Sequence, residues 1–243
     1  MSSRCSEVLD AVRRTIEAEL RSLRQESGGG RPLALLDIGC WDGSSTARYA
    51  EILGGAAHGI EIVPAQADLA RSRGVQTEEV DLETQRFPWA DATFDVIVVN
   101  QVFEHLKNVW LPMSEIARVL RAGGHLIFSV PNLSSVHNRL MLGFGFQPSS
   151  IRTFGPHVRG FTYRQAREFV AFGGCFTVRR ARGVGFYPLP ARLATPLARA
   201  WAGGSHTPVI VARREATADS RPWLRQAAND ALITEQTHYE PAH

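Results

Sequence analysis

Lysine is nearly missing from this 243-residue chain: Lys107 stands alone among 27 basic residues. The rest are arginines scattered along the sequence, and no cluster of cations interleaved with aromatics marks a nucleic-acid surface, despite a net charge of +3. Nucleic acid is not an expected partner. Cysteine is scarce too. Cys5, Cys40 and Cys175 are odd in number and far apart. That argues against a disulfide framework or a metal knuckle and leaves reduced thiols as the expectation. No apolar run has the length of a membrane span, and the opening residues lack the apolar core of a signal peptide, so a cytoplasmic protein is expected. The spacing G-x-G-x-x-G is absent, which speaks against a nicotinamide dinucleotide. No internal repeat stands out.

What is present begins with Leu35-Leu36-Asp37-Ile38-Gly39-Cys40-Trp41-Asp42-Gly43-Ser44-Ser45-Thr46. An apolar run of strand length meets a turn with two glycines, and Ser44 or Ser45 is placed to cap the following helix. Asp37 and Asp42 repel a phosphate and suit a cation, so this turn points to a flat, positively charged cofactor such as S-adenosylmethionine, with its sulfonium and ammonium. A second run, Ala57–Ile62, carries Glu61 where Rossmann-type folds place the carboxylate that grips ribose. A third closes at Val80-Asp81-Leu82. Phe94–Asn100 is apolar enough to be a strand buried on both faces, and Gly123–Asn132 reads as a turn and a fifth strand.

In that order, D-I-G-C-x-D-G, the acid after the second run, V-D-L, F-D-V-I, E-H-L and R-V-L-R-A-G-G-H-L-I resemble the class I S-adenosylmethionine-dependent methyltransferases, in the broad group that includes ubiquinone-biosynthesis methyltransferases. The resemblance covers about residues 33–213. It implies an α/β fold with a Rossmann-like, doubly wound, seven-stranded sheet, mostly parallel, whose last strand is antiparallel. It also implies site roles. Asp37, Gly39, Cys40, Trp41, Asp42 and Gly43 would frame the methionine part, Glu61 and Ile62 the ribose, Asp81 and Leu82 the adenine edge, and Asn100 and Gln101 the pocket floor.

The organisation expected is a helix over about 7–25 with a linker to residue 30, one enzyme domain over 31–214, and a polar, mobile tail over 215–243. Helices are expected near 45–52, 64–71, 111–120 and 163–172, with strands at 176–184 and 208–213; the Gly123-Gly124 turn should end the third of these helices. Residues 132–162, rich in aromatic and basic side chains, read as a lid over the acceptor. His137, Arg139, His157 and Arg159 are its candidate acceptor-binding residues, while Phe144 and Phe146 should pack the lid itself. Between Pro188 and Ser205, Leu189, Leu193, Leu197 and Trp201 recur four apart. Packing on the sheet is the leading reading of that row, and contact with a lipid surface or lipid-linked acceptor is the other. His58, His125 and Asp95 read as structural.

Methyl transfer from a sulfonium is an in-line displacement, so the enzyme mainly positions the acceptor, excludes water and removes a proton where the acceptor needs it. His105, just beyond the fourth strand, is the candidate base and favours an oxygen acceptor. Some relatives hold Mg²⁺ through E-x-x-E-H at this position. Here Gln101 replaces the first acid, so no metal is expected. The expected activity is O-methylation of a small-molecule, glycan or lipid-linked acceptor, with a homodimer left open. The alternatives are a partner-dependent or non-catalytic cofactor-binding module and an N-methyltransferase.

Overall fold

The computed structural model describes residues 3–187, 189, 191–216, 219 and 221–236. Pro188 and the last seven residues of the expected tail lie outside the described residues. Seven strands form one sheet: β1 (Leu35–Ile38), β2 (Ala57–Ile60), β3 (Gln76–Glu78), β4 (Phe94–Asn100), β5 (Leu120–Ser129), β6 (Phe176–Val184) and β7 (Thr207–Arg214). Their order is β3-β2-β1-β4-β5-β7-β6, parallel through β5, with β7 antiparallel to both its neighbours. This is the doubly wound, mostly parallel sheet that alternating strands and helices dictate.

Alternate residues of β4 serve two apolar layers, which is why the strand reads as a continuous hydrophobic run. On one face Val96 and Val98 meet α1 (Ser3–Glu26) and α2 (Ser44–Leu53) through Val12, Ile16, Leu20 and Leu53. On the other, Ile97 and Val99 share a core with α4 (Trp110–Val119) and α6 (Tyr163–Ala171) through Met113, Ile116, Ala166 and Val170. Helix α1 is fastened to the sheet by charge as well. The buried Glu19 carboxylate accepts from Arg180 and, at 3.1 Å, from Arg182 of β6. The four remaining helices are α3 (Pro64–Ser72), α5 (Val136–Gly143), α7 (Ala191–Ala200) and α8 (Pro222–Gln236).

Three expectations change. The third strand ends at Glu78, so Val80-Asp81-Leu82 is loop. Helix α4 stops at Val119 and runs directly into β5, which leaves Gly123 and Gly124 inside that strand. A side chain at Gly124 would lie 2.8 Å from the Asp95 carbonyl, so this glycine serves close strand approach and not helix termination. The tail also differs. Trp223 of α8 is fully buried, donates from Nε1 to the Phe169 carbonyl at 3.0 Å and stacks 5.9 Å from Phe176. His58 and Asp95 are structural, as expected. His58 packs edge-on against Trp89 and Phe94, and Asp95 accepts from Arg31, Arg121 and the Ala34 N–H, which hold its carboxyl down at about 2 against the opposing effect of burial.

Candidate active site

The turn after β1 is held by backbone geometry that few residues adopt. Gly39 and Gly43 have φ of +73° and +75°, and a Cβ on Gly39 would lie 2.6 Å from Val102 Cγ2. Trp41 takes φ of +51° although it is not glycine. What holds it is Glu61, whose Oε2 accepts the Trp41 N–H at 3.0 Å while Oε1 accepts the Val63 N–H at 2.9 Å. The expected ribose carboxylate therefore also clamps the cofactor turn. Trp41 and Ile62, the residues beside those donors, are largely exposed and form apolar edges around it. Cys40 is buried against Ala70 and Val75, and its thiol is pushed up to about 12 by burial, so it fills space.

Asp37 lies buried at the strand end and accepts from Thr46 Oγ1 of α2 at 2.6 Å. Burial raises its carboxyl to about 7, the Thr46 bond opposes this and the charge of Glu61 adds to it. Neither acid has a cationic side-chain partner among the described residues. Two uncompensated buried carboxyls repel a phosphate and attract a cation. Asn100, at the end of β4, adds a buried Oδ1 with no partner, a free acceptor for an incoming donor. Gln101 is held at φ of +58°, its side chain donating to Ser129 Oγ at 3.2 Å. These features fit S-adenosylmethionine, with its ammonium, its sulfonium and its hydroxyl and amine donors.

Two of the expected cofactor acids have other work. Asp42 Oδ1 accepts from the Ser44 N–H at 3.1 Å and hydroxyl at 2.8 Å, so it opens α2 in place of a serine cap, and its other oxygen meets Arg73 at 3.2 Å. Asp81 closes its own loop, accepting from the Glu83 N–H and the Thr84 hydroxyl. Leu82 packs partly buried against the main core.

Beyond β4, the 3-10 turn Phe103–His105 places Glu104 and His105 against the end of the 132–162 segment. The Glu104 carbonyl accepts the Val158 and Arg159 N–H groups at 2.9 and 3.1 Å. That pairing brings the His157 ring to 4.8 Å from His105. Each imidazole has its Nδ1 beside a carbonyl, Pro156 at 3.3 Å and Ser150 at 2.7 Å, which assigns the neutral-ring protons to Nδ1 and leaves both Nε2 atoms as acceptors. Desolvation holds His105 below the usual histidine range, the Pro156 carbonyl opposes it, and the neighbouring His157 adds a smaller push in the same direction as desolvation. Arg159 is turned to the Lys107 carbonyl.

Glu104 is only 2% exposed and its Oε2 has no partner, so burial drives its carboxyl up to about 8. A folded value above the unfolded 4.5 means that the stability this group contributes is intact in acid and is lost as pH rises between the two values. Glu104→Gln should therefore stabilise the fold more and more across that window, by on the order of 4 kcal/mol at pH 8 and hardly at all near pH 4, with a matching rise in melting temperature. Melting curves from pH 4 to 8 check this, and a pH-independent difference would reject it.

His137 and Arg139 do not join this group. The His137 ring lies 4.5 Å from Tyr187, and the Arg139 guanidinium lies 5.8 Å above the Trp201 ring. Both face the α7 side because α5 packs there through Val136. Phe144 and Phe146 do not pack the segment either; they are 78% and 64% exposed. Its order comes instead from two asparagines. Asn132 donates to the Gly203 and Ser205 carbonyls and accepts from Ser134 and the Tyr163 N–H; Asn138 ties the Asn132 carbonyl to Ser149 and Ser150. Neither asparagine carries a sequence signal that separates it from a loop residue.

Residues 36–128 match the family model described as a methyltransferase domain. The part of the chain that runs from β1 into β5 is thus a methyltransferase domain, and the relatives that match it support the class I S-adenosylmethionine-dependent group. The chain is 31% identical over 122 residues to 27-O-demethylrifamycin SV methyltransferase of Amycolatopsis mediterranei, covering 46% of this chain and 45% of that protein. It is 22% identical over 163 residues to demethylmenaquinone methyltransferase of Chlorobaculum parvum, covering 58% of this chain and 67% of that one. The chain spans less than half the length of the curated relatives it matches at 31% and 32% identity. Its fold is shared with magnesium protoporphyrin IX methyltransferase of Synechocystis PCC 6803, solved with bound S-adenosylhomocysteine, at a TM-score of 0.59, 14% identity and 88% coverage of both chains.

Proposed function

We propose that this methyltransferase methylates an oxygen of a small-molecule acceptor held beneath the 132–162 segment, with His105 as the base. The observation that supports this most is His105 itself, held below the usual histidine range with its Nδ1 beside the Pro156 carbonyl, just past the carboxyl end of β4. When bound, S-adenosylmethionine supplies an electrophilic methyl group. The chain does the rest. Asp37, Glu61 and Asn100 accept from the cofactor's polar groups, Trp41 and Ile62 flank it, and His105 takes the hydroxyl proton from the acceptor. His157, whose ring lies 4.8 Å from His105, would orient the same hydroxyl. Of the relatives above, 27-O-demethylrifamycin SV methyltransferase bears the name of a small-molecule oxygen acceptor, and the acceptor class we propose extends to glycan and lipid-linked molecules.

Titration calorimetry with S-adenosylhomocysteine tests the cofactor part. Glu61→Ala should weaken binding by roughly 2 kcal/mol or more, about thirtyfold, because it removes charge-assisted hydrogen bonds and frees the Trp41 turn. Unchanged affinity in a variant that melts normally would reject Glu61 as the ribose partner.

A second reading rests on a specific arrangement. Glu104, His105 and His157 offer ligand atoms that all lie within 4.8 Å of one another. Two imidazoles and one carboxylate suit a divalent transition metal better than Mg²⁺. The expectation of no metal was drawn from Gln101 alone, and sequence spacing gave no sign that His157 supplies a third ligand atom.

A further inference from the structure

We propose that the tip of the 132–162 segment and helix α7 together form a surface that docks on an anionic lipid bilayer. The proposal deepens the reading of an acceptor site beneath that segment and rests on it for the orientation of the docked enzyme. Leu140, Leu142, Phe144, Phe146 and Phe154 all project into solvent, Phe154 completely. Helix α7 and its flanks add Leu189, Leu193, Leu197 and Trp201, a row four residues apart in which each side chain is at least 37% exposed. Ala194 and Ala198 of the same helix turn inward against Phe186 and Val136, while the three leucines of the row stay at the surface and Trp201 leans one face on Phe186. The expectation that this row packs on the sheet is thereby corrected. The two apolar elements are neighbours, joined by the contacts of His137 with Tyr187 and of Arg139 with Trp201. Exposed apolar area on this scale marks a binding surface in a water-soluble fold.

Charge selects the occupant. Residues 116–214 contain fourteen arginines and a single acid, Glu168, which Arg164 already holds at 2.7 Å. Neither 132–162 nor 187–206 contains an aspartate or glutamate. Around the apolar tips, Arg139, Arg152, Arg192 and Arg199 are exposed and form no ion pair among the described residues. Arg139, Arg164 and Arg199 also line a cleft of about 500 Å³ with Ser134, Tyr163 and Trp201, where a headgroup phosphate meets several guanidinium donors beside an interfacial aromatic. Apolar side chains flanked by arginine alone, with no acid, complement a negatively charged headgroup layer over acyl chains. No helix among the described residues is long and apolar enough to cross a membrane, so the contact is with the surface. An acceptor carried by the bilayer would then enter under the segment from the lipid side.

Co-sedimentation of the full chain with vesicles tests this. Binding is expected to phosphatidylcholine vesicles that contain phosphatidylglycerol, to weaken with added salt, and to be absent with phosphatidylcholine alone. Phe144→Ser with Phe146→Ser should lower the partition coefficient by roughly tenfold or more. Arg192→Gln with Arg199→Gln should lower it by about tenfold. Titration with S-adenosylhomocysteine reads the cofactor pocket separately and should be unaffected in both double variants. Vesicle binding that persists in a chain unable to transfer methyl groups would uphold docking while rejecting the functional reading. No binding at any phosphatidylglycerol content, or binding unchanged in both double variants, overturns the proposal. So does a dimer seen by light scattering that the Phe144 and Phe146 changes abolish, without vesicle binding, because the surface would then belong to a second copy of the chain.

Discussion

His105→Ala should slow the methyl-transfer step by roughly a hundredfold while leaving S-adenosylhomocysteine affinity nearly intact. The expectation follows from position and protonation together. His105 lies outside the Asp37–Glu61 turn, so its loss should not disturb the cofactor, and its depressed titration keeps it neutral at physiological pH. In the wild type, single-turnover rates should rise with pH through a group below the ordinary histidine value and reach a plateau by neutrality, and the alanine variant should lose that rise. Near wild-type turnover would remove His105 from catalysis. Chelation separates the two roles open to it: EDTA should leave the rate unchanged for a base, whereas loss of activity restored by a divalent transition metal would make Glu104, His105 and His157 a metal site.

Trp223→Ala should destabilise the fold by about 3–5 kcal/mol, as expected when a fully buried indole is deleted. The side chain is surrounded by the main core, and its Nε1–H is the partner of the Phe169 carbonyl. Removing it leaves a cavity beside Phe176 and takes one of two donors from the Phe169 carbonyl, which keeps the Phe172 N–H. Trp223→Phe keeps most of the apolar volume and should recover more than half of the loss. Urea denaturation of the three proteins measures this. Equal stability for wild type and Trp223→Ala would mean that α8 does not contribute to the folded core.

Local patterns that report on their own neighbourhood were readable in the sequence. The Gly39 and Gly43 turn and the buried β4 each have a signature within ten residues or so, whereas the antiparallel direction of the final strand came only from the family resemblance. The acid after the second strand stands out in the sequence as a candidate ribose partner, and its clamp on Trp41 needs three dimensions to be seen. Errors arose where a residue type has several physical uses. Gly123-Gly124 suits a helix stop and a tight strand approach equally, and only the distance to Asp95 decides between them. The polar composition after Glu215 hid Trp223 because one large side chain can anchor a segment whose average hydropathy is low. His137 and Arg139 were grouped with His157 and Arg159 by closeness in sequence. In the fold, α5 carries the first pair toward Trp201 and the return of the chain carries the second toward His105.

The two asparagines that brace the 132–162 segment make its outermost part exchangeable. Asn132 and Asn138 spend their amide groups on backbone and serines at the base, up to Ser150, and the Glu104 carbonyl secures the other end at Val158. Among the described residues, no contact of this kind reaches from the stretch between 140 and 146 back to the sheet. A library that varies the sequence and length of that stretch could re-aim the enzyme at new acceptors without touching the cofactor turn, and the frame beneath it would tolerate the change.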